Sequence, residues 1–120
     1  NVAVKNSIVW GNGSQEIHQH ANSAEDFPPG GSLVITNSVV KDGNTSNGNS
    51  NLDPKFKTPI DAGNSPIITG NYRLQSGTSA EDLGNTDDIV VIGSEKSPID
   101  LGGNSRVVGD GVDAGAYELQ

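Results

Sequence analysis

The segment Val2-Ala3-Val4-Lys5-Asn6-Ser7-Ile8-Val9-Trp10-Gly11-Asn12 recurs without a gap as Leu33-Val34-Ile35-Thr36-Asn37-Ser38-Val39-Val40-Lys41-Asp42-Gly43, an offset of 31 residues. Such self-similarity constrains a fold more than composition does, because each copy must find an equivalent environment. Val2 and Val4, like Leu33 and Ile35, alternate with their neighbours, so each copy begins as a short strand with one apolar face. Asn-Ser interrupts the alternation, and Ile8-Val9 or Val39-Val40 resumes it. Two β segments joined by a bend, repeated along the chain, predict stacked coils of a solenoid; the alternative is two unrelated hairpins with similar turns. Asn suits the bend, since it accepts left-handed dihedrals and its amide bonds nearby backbone. In a stack, Asn6 and Asn37 superpose and are placed to form an amide ladder.

Composition sets limits on the whole chain of 120 residues. Val, Ile, Leu and Phe make 28 residues, enough for a thin core, while 16 Gly, 13 Asn and 13 Ser disfavour helix. The excess of 15 acids over 7 bases, a net charge of −8, argues against nucleic acid as a partner. No apolar run approaches the roughly 20 residues of a membrane span. Absence of Cys excludes disulfides and thiolate metal sites. The chain opens on Asn1 with no basic-then-apolar leader, which reads as a mature portion or an excised piece.

The stretch from Gly13 to Gly31, with Phe27-Pro28-Pro29, is expected as a loop inserted between coils, and Asp42 to Asn51 as an exposed, mobile loop. Beyond Leu52 a shorter phrase recurs: Ile60-Asp61-Ala62-Gly63, Glu81-Asp82-Leu83-Gly84, Ile99-Asp100-Leu101-Gly102 and Val112-Asp113-Ala114-Gly115. Asp two positions before Gly suits a turn whose carboxylate accepts local backbone N–H groups. Candidate strands are Ile67-Ile68, Tyr72-Arg73-Leu74, Ile89-Val90-Val91-Ile92, Arg106-Val107-Val108 and Ala116-Tyr117-Glu118-Leu119. Residues 1–51 therefore read as coils with inserted loops, and 52–120 as an irregular segment capping the same domain.

Five phrases occur in a telling order: Asn6 to Asn12, Asn51-Leu52-Asp53-Pro54-Lys55-Phe56, Tyr72-Arg73-Leu74-Gln75, Asp100 to Arg106, and Asp113-Ala114-Gly115-Ala116-Tyr117-Glu118. Together they resemble the C-terminal end of bacterial right-handed parallel β-helix proteins of the pectin-lyase-like type, found among exported proteins of Bacteroidetes and related bacteria. Ser79-Ala80-Glu81-Asp82 departs from the usual phrase by lacking its Pro and Ile. The resemblance implies an all-β fold, the last coils of a right-handed parallel β-helix with an irregular C-terminal cap. It implies an extracellular or cell-surface location and, as partners, upstream coils of the parent chain. It also implies a structural, capping role without catalysis. The alternatives are part of a carbohydrate-binding, polysaccharide lyase or glycoside hydrolase β-helix, or an adhesin meeting polysaccharide or a host surface.

Few residues invite chemistry. Asp100, Asp110 and Asp113 are candidates for paired carboxylates, but their Asp-x-Gly setting favours turn capping, as for Asp61 and Asp82. Arg73 and Arg106 are expected to pair with acids such as Asp82 or Asp113. Lys5, Lys41 and Trp10, beside the bends, are candidate ligand contacts, Trp10 as a stacking platform. His18 and His20, with Glu16, are weak candidates for a metal, which normally wants three or four protein ligands. Calcium at Asp87-Asp88 or Asp110 to Asp113 lacks a 12-residue ligand loop, so no cofactor is expected. Tyr117 is expected to close the core with its hydroxyl at the rim.

Overall fold

A computed structural model describes residues 2–13, 16–17, 32–64, 69–89, 91–92, 95–96 and 98–120. The two copies of the repeat lie side by side. Strand β1 (Val2–Lys5) pairs in parallel with β3 (Leu33–Thr36), matching Val2 to Leu33 and Lys5 to Thr36. Strand β2 (Ile8–Val9) pairs in parallel with β4 (Val39–Val40), matching Ile8 to Val39. Both registers are the 31-residue offset read from the sequence; hairpins would have paired each copy antiparallel within itself.

Between the paired strands, Asn6 and Asn37 turn the chain with φ of 47° and 49°. The serines after them build the corner. Ser7 Oγ donates to Lys5 O at 2.6 Å, and Ser38 Oγ to Thr36 O at 2.8 Å. Ser7 N–H donates in turn to Ser38 Oγ at 3.1 Å, which links one corner to the next.

A third rung completes this ladder where a mobile loop was expected. Ser50 bridges Val39 in parallel, with Ser50 N–H to Ser38 O and Val40 N–H to Ser50 O both 2.9 Å. Asn47, with φ of 58°, accepts from Asn37 N–H, and Asn49 Oδ1 accepts from Ser38 N–H at 3.1 Å. Asn49 thus stands where a serine hydroxyl stands in the preceding corner. Hydropathy does not reveal this rung, because backbone groups and one amide make it without apolar contacts.

Phe56, Leu74, Ala80 and residues 83–85 and 114–115 fold against this corner. Strand β5 (Phe56–Thr58) pairs antiparallel with β6 (Asn71–Leu74), and β7 (Val91–Ile92) with β8 (Glu95–Lys96). The expected strand at Tyr72 to Leu74 is therefore present, with a partner the sequence did not indicate. Arg106 to Val108 and Ala116 to Leu119 are not strands; near them occur only isolated bridges, Ile99 to Ser105 and Val108 to Gly111. Side-chain carboxylates take the backbone donors that a ladder would otherwise use. Ile67-Ile68, Val90, His18, His20 and Phe27 lie outside the described residues. Helix is limited, among those residues, to the 3-10 turns Ala62–Asn64 and Thr86–Asp88.

The apolar centre is small, as composition requires. Val39, Leu74, Ala80 and Ala114 are buried together, with Ile8, Trp10, Phe56, Leu83 and Leu119 against them. Residues 80–84 and 112–114 run antiparallel through it, joined by Ala114 N–H to Ala80 O at 2.9 Å and Gly84 N–H to Val112 O at 2.8 Å. The approach at Gly84 excludes a side chain, since a Cβ there would lie 2.7 Å from Val112 O.

Candidate functional site

The bend asparagines are where the tail meets the repeat. Asn6 Nδ2 donates to Asn85 O at 2.8 Å, and Asn6 Oδ1 accepts from Asn85 N–H at 2.7 Å. One amide thereby pairs with a backbone peptide as a strand neighbour would. Asn37 Nδ2 donates to Leu83 O at 3.1 Å, and Gly115 N–H donates to Asn6 O at 2.8 Å. The amides that a stack would place in a ladder are thus directed to residues 83–85 instead. Asn85 also caps the following 3-10 turn by accepting from Asp87 N–H at 2.9 Å.

The tail is held by side-chain carboxylates, of which Asp100, Asp113 and Glu118 are buried. Asp61 behaves as the sequence predicts, accepting from Gly63 N–H two residues on at 2.7 Å. Asp82 and Asp113 reach farther, and Asp100 binds both its own turn and a distant segment. Asp82 accepts from Gly111 N–H at 2.7 Å. Asp113 takes Asp82 N–H on one oxygen at 2.8 Å and Leu119 N–H on the other at 2.7 Å. Asp100 takes Asn104 N–H at 2.8 Å and Glu118 N–H at 3.1 Å. Asp82 and Asp113 crosslink distant segments, whereas Asp100 also caps its own turn through the Gly102 and Asn104 N–H groups while reaching Glu118. With both oxygens engaged by backbone donors, Asp100 and Asp113 are poorly placed to exchange protons with a substrate.

Glu118, which the sequence reading did not single out, is the hub. Its side chain is fully buried, accepting from Val108 N–H on Oε1 and from Asp113 N–H on Oε2, each at 3.1 Å. Arg106 Nη1 bridges to Oε2 at 3.2 Å, and Nη2 donates to Gly115 O at 2.7 Å and Asp113 O at 3.3 Å. The acid that pairs with Arg106 is therefore Glu118, not Asp82 or Asp113. Arg73 lies instead over the Tyr117 ring, 4.8 Å from its centroid, a cation–π contact. The only sequence signal for Glu118 is its place in the closing phrase, five residues after Asp113.

The carboxyls titrate in opposite senses. Burial acts to raise Asp100, but N–H groups of Glu118, Asn104 and Gly102 and the Asn104 side chain outweigh it, so its pKa lies below 3.8. Burial also raises Glu118, and with the Asp113 charge it prevails over the stabilising N–H groups and Arg106, so its pKa lies above 4.5. Asp100 therefore contributes stability that is present above its unfolded pKa and lost as pH falls through its folded value. Glu118 runs the other way, favouring the fold in its protonated form and losing that contribution as pH rises through its raised value. An acid titration followed by Trp10 fluorescence should show a stability loss at its most acidic end. Asp100→Asn, less stable at neutral pH, should lack that limb; an unchanged limb would refute the assignment.

The other candidate residues do not converge. Lys5 Nζ meets Asp88 Oδ1 at 2.7 Å, and Lys41 is half-buried beside the ladder, donating its N–H to Val9 O at 3.2 Å. Asp110 is exposed. Glu16 binds back to the chain, accepting from Gly11 N–H at 2.8 Å and from Asn12 N–H and Nδ2. Burial acts to raise its carboxyl, and these donors with the Lys41 charge bring it below the ordinary value. No group of three or more His, Asp or Glu placed to hold a metal occurs among the described residues, nor does a helix long and apolar enough to cross a membrane. No family model, curated protein or solved structure matches the chain.

Two clefts border the first copy of the repeat. One, of about 360 Å³, is lined by Ile8, Trp10, Leu74, Ala114 and Tyr117 among others; the second, of about 330 Å³, by Lys5, Asn6, Ser7, Ile99 and Arg106 among others. They share Leu101, Gly115 and Ala116. No residue of β3, β4 or the third rung lines either. A third cleft, of about 490 Å³, continues past Trp10 to Phe56, Asp61 and Tyr72. Phe56 and Tyr72 meet edge to face at 5.3 Å there. Trp10 thus joins three of the chain's other aromatic rings at the margin of the core.

Proposed function

We propose that this chain is the closing module of a right-handed parallel β-helix in an extracellular or cell-surface protein, with a structural role and no catalytic step of its own. Residues 1–51 supply its last coils with their inserted loops, and 52–120 the irregular cap. One observation carries the reading: two windings pair in parallel register while the tail occupies the backbone and amides of their bends. The fold family and the cell-surface location rest on the ordered phrases of the sequence. The polar third rung supports a terminus, because Asn49 and Ser50 end the ladder without offering a new apolar strand edge.

Truncation after Lys96 tests this role. It removes Asp100, Arg106, Asp113 and Glu118 together with the Gly115 bond to Asn6. The expected result is loss of cooperative unfolding and of amide-exchange protection at Val39 and Val40. A truncated chain that keeps both, with a Tm within about 4 °C of the full chain, would remove the capping role.

A further inference from the structure

The cleft of about 490 Å³ gathers Trp10, Phe56 and Tyr72, three of the chain's five aromatic rings, around one acid, Asp61. No Lys or Arg among the described residues lines it. Its walls come from separate parts of the chain. Trp10 follows β2, Phe56 and Tyr72 belong to the paired strands β5 and β6, and Asp61 precedes the 3-10 turn Ala62–Asn64. The Tyr72 ring is fixed on two sides, edge to face with Phe56 and against Gly70, where a Cβ would lie 2.6 Å from Tyr72 Cε2 and 3.0 Å from Ile60 Cγ1. It nevertheless stays 44% exposed, so an ordered aromatic surface beside Asp61 is open to a ligand.

The polar groups around this cleft decide the class of that ligand. Glu16 accepts from the Gly11 and Asn12 N–H groups and from Asn12 Nδ2. Asp61 Oδ1 accepts from Gly63 N–H at 2.7 Å, while Oδ2 accepts from no described donor. A sugar ring needs donors as well as acceptors for its hydroxyls, and the Gly11 and Asn12 donors are already engaged. A primary ammonium would bring three donors to one free carboxylate oxygen. A quaternary ammonium brings none, and its polarised methyl groups are attracted both by ring faces and by a carboxylate.

We propose that this cleft binds a quaternary ammonium group, seated among Trp10, Phe56 and Tyr72 with Asp61 as its counter-charge. The fold contains an internal example of the same chemistry, the Arg73 guanidinium 4.8 Å from the centroid of the Tyr117 ring. That ring is thereby occupied, whereas no cation of the described residues stands over Trp10, Phe56 or Tyr72. The net charge of −8 favours the approach of a cation over that of an anion. Ligand binding here is separate from the capping role, and either reading can fail without the other.

The test titrates the full chain with choline at constant ionic strength. Fluorescence of Trp10, the single tryptophan, gives one readout, and NMR shifts of the Asp61 and Tyr72 amides give a second. The reference ligand is the neutral isostere dimethylbutanol, in which carbon replaces the charged nitrogen. Choline should bind at least about 10-fold more tightly than the isostere. Asp61→Asn keeps an oxygen for the Gly63 N–H and should weaken choline about 5-fold while leaving the isostere unchanged. Tyr72→Leu should weaken choline by about 5-fold as well, with a Tm within about 4 °C of the parent chain. No response to choline, equal affinity for the isostere, or full choline affinity in Asp61→Asn would each overturn the proposal. So would tighter binding of a neutral disaccharide such as cellobiose, which would make the cleft a sugar site.

Discussion

Glu118→Gln is expected to destabilise the fold by about 1–3 kcal/mol, the cost of stranding a buried donor, since burial already disfavours the charge itself. Both carboxylate oxygens of Glu118 act only as acceptors, Oε1 from Val108 N–H and Oε2 from Asp113 N–H and Arg106. A glutamine offers one oxygen and one NH2 group, so either orientation sets donor against donor in a site without solvent. It also leaves the Arg106 guanidinium, 13% exposed, without its counter-charge. At roughly 4 °C per kcal/mol for a chain of this size, Tm should fall by about 4–12 °C. Urea unfolding at neutral pH measures the same quantity, and a change below about 1 kcal/mol would mean that Glu118 is not the hub of the tail. Glu118→Ala should be about as damaging, since it too strands the Val108 and Asp113 N–H groups and Arg106.

Asn6→Ala should cost about 2–4 kcal/mol. About 1–2 of this comes from placing a Cβ-bearing residue without an amide at a φ of 47°. The remainder is loss of the two bonds to the Asn85 peptide, each worth about 1 kcal/mol at a part-exposed site. Asn6→Gly separates the contributions by relieving the dihedral while still losing both bonds, and should recover roughly half the loss. Asn6→Asp keeps the acceptor for Asn85 N–H but sets a carboxylate against Asn85 O, so it should not rescue stability. Equal stability of Asn6→Ala and the parent chain in chemical denaturation would show that this bend does not hold the tail. In each variant, exchange at the Asn85 amide should report the same loss locally.

The parts of the molecule divide by how far their bonds reach along the chain. Repeat register was legible because Val2, Val4 and Ile8 have counterparts in Leu33, Ile35 and Val39, and a common offset aligns apolar faces with backbone ladders together. The Asn bends were legible for the same reason, their dihedral being a local preference of the residue type. Asp61 followed its local rule, Asp100 follows it and also reaches Glu118, and Asp82 and Asp113, in similar phrases, bind distant segments. Nothing in the four phrases distinguishes a carboxylate that caps its own turn from one that reaches a segment 29 or 31 residues away. Arg106 had several acids in reach by sequence, and only the path of the tail selects Glu118.

What the sequence alone determined is the offset, the two bends and the sparse apolar pattern, since these follow from residue types acting on their own backbone and on an identical neighbour. Tertiary structure decided the destination of each polar group in the tail and the polar third rung. The physical reason is that apolar periodicity is written along the chain at fixed spacing. A buried carboxylate or amide instead satisfies whichever N–H groups the completed fold brings to it.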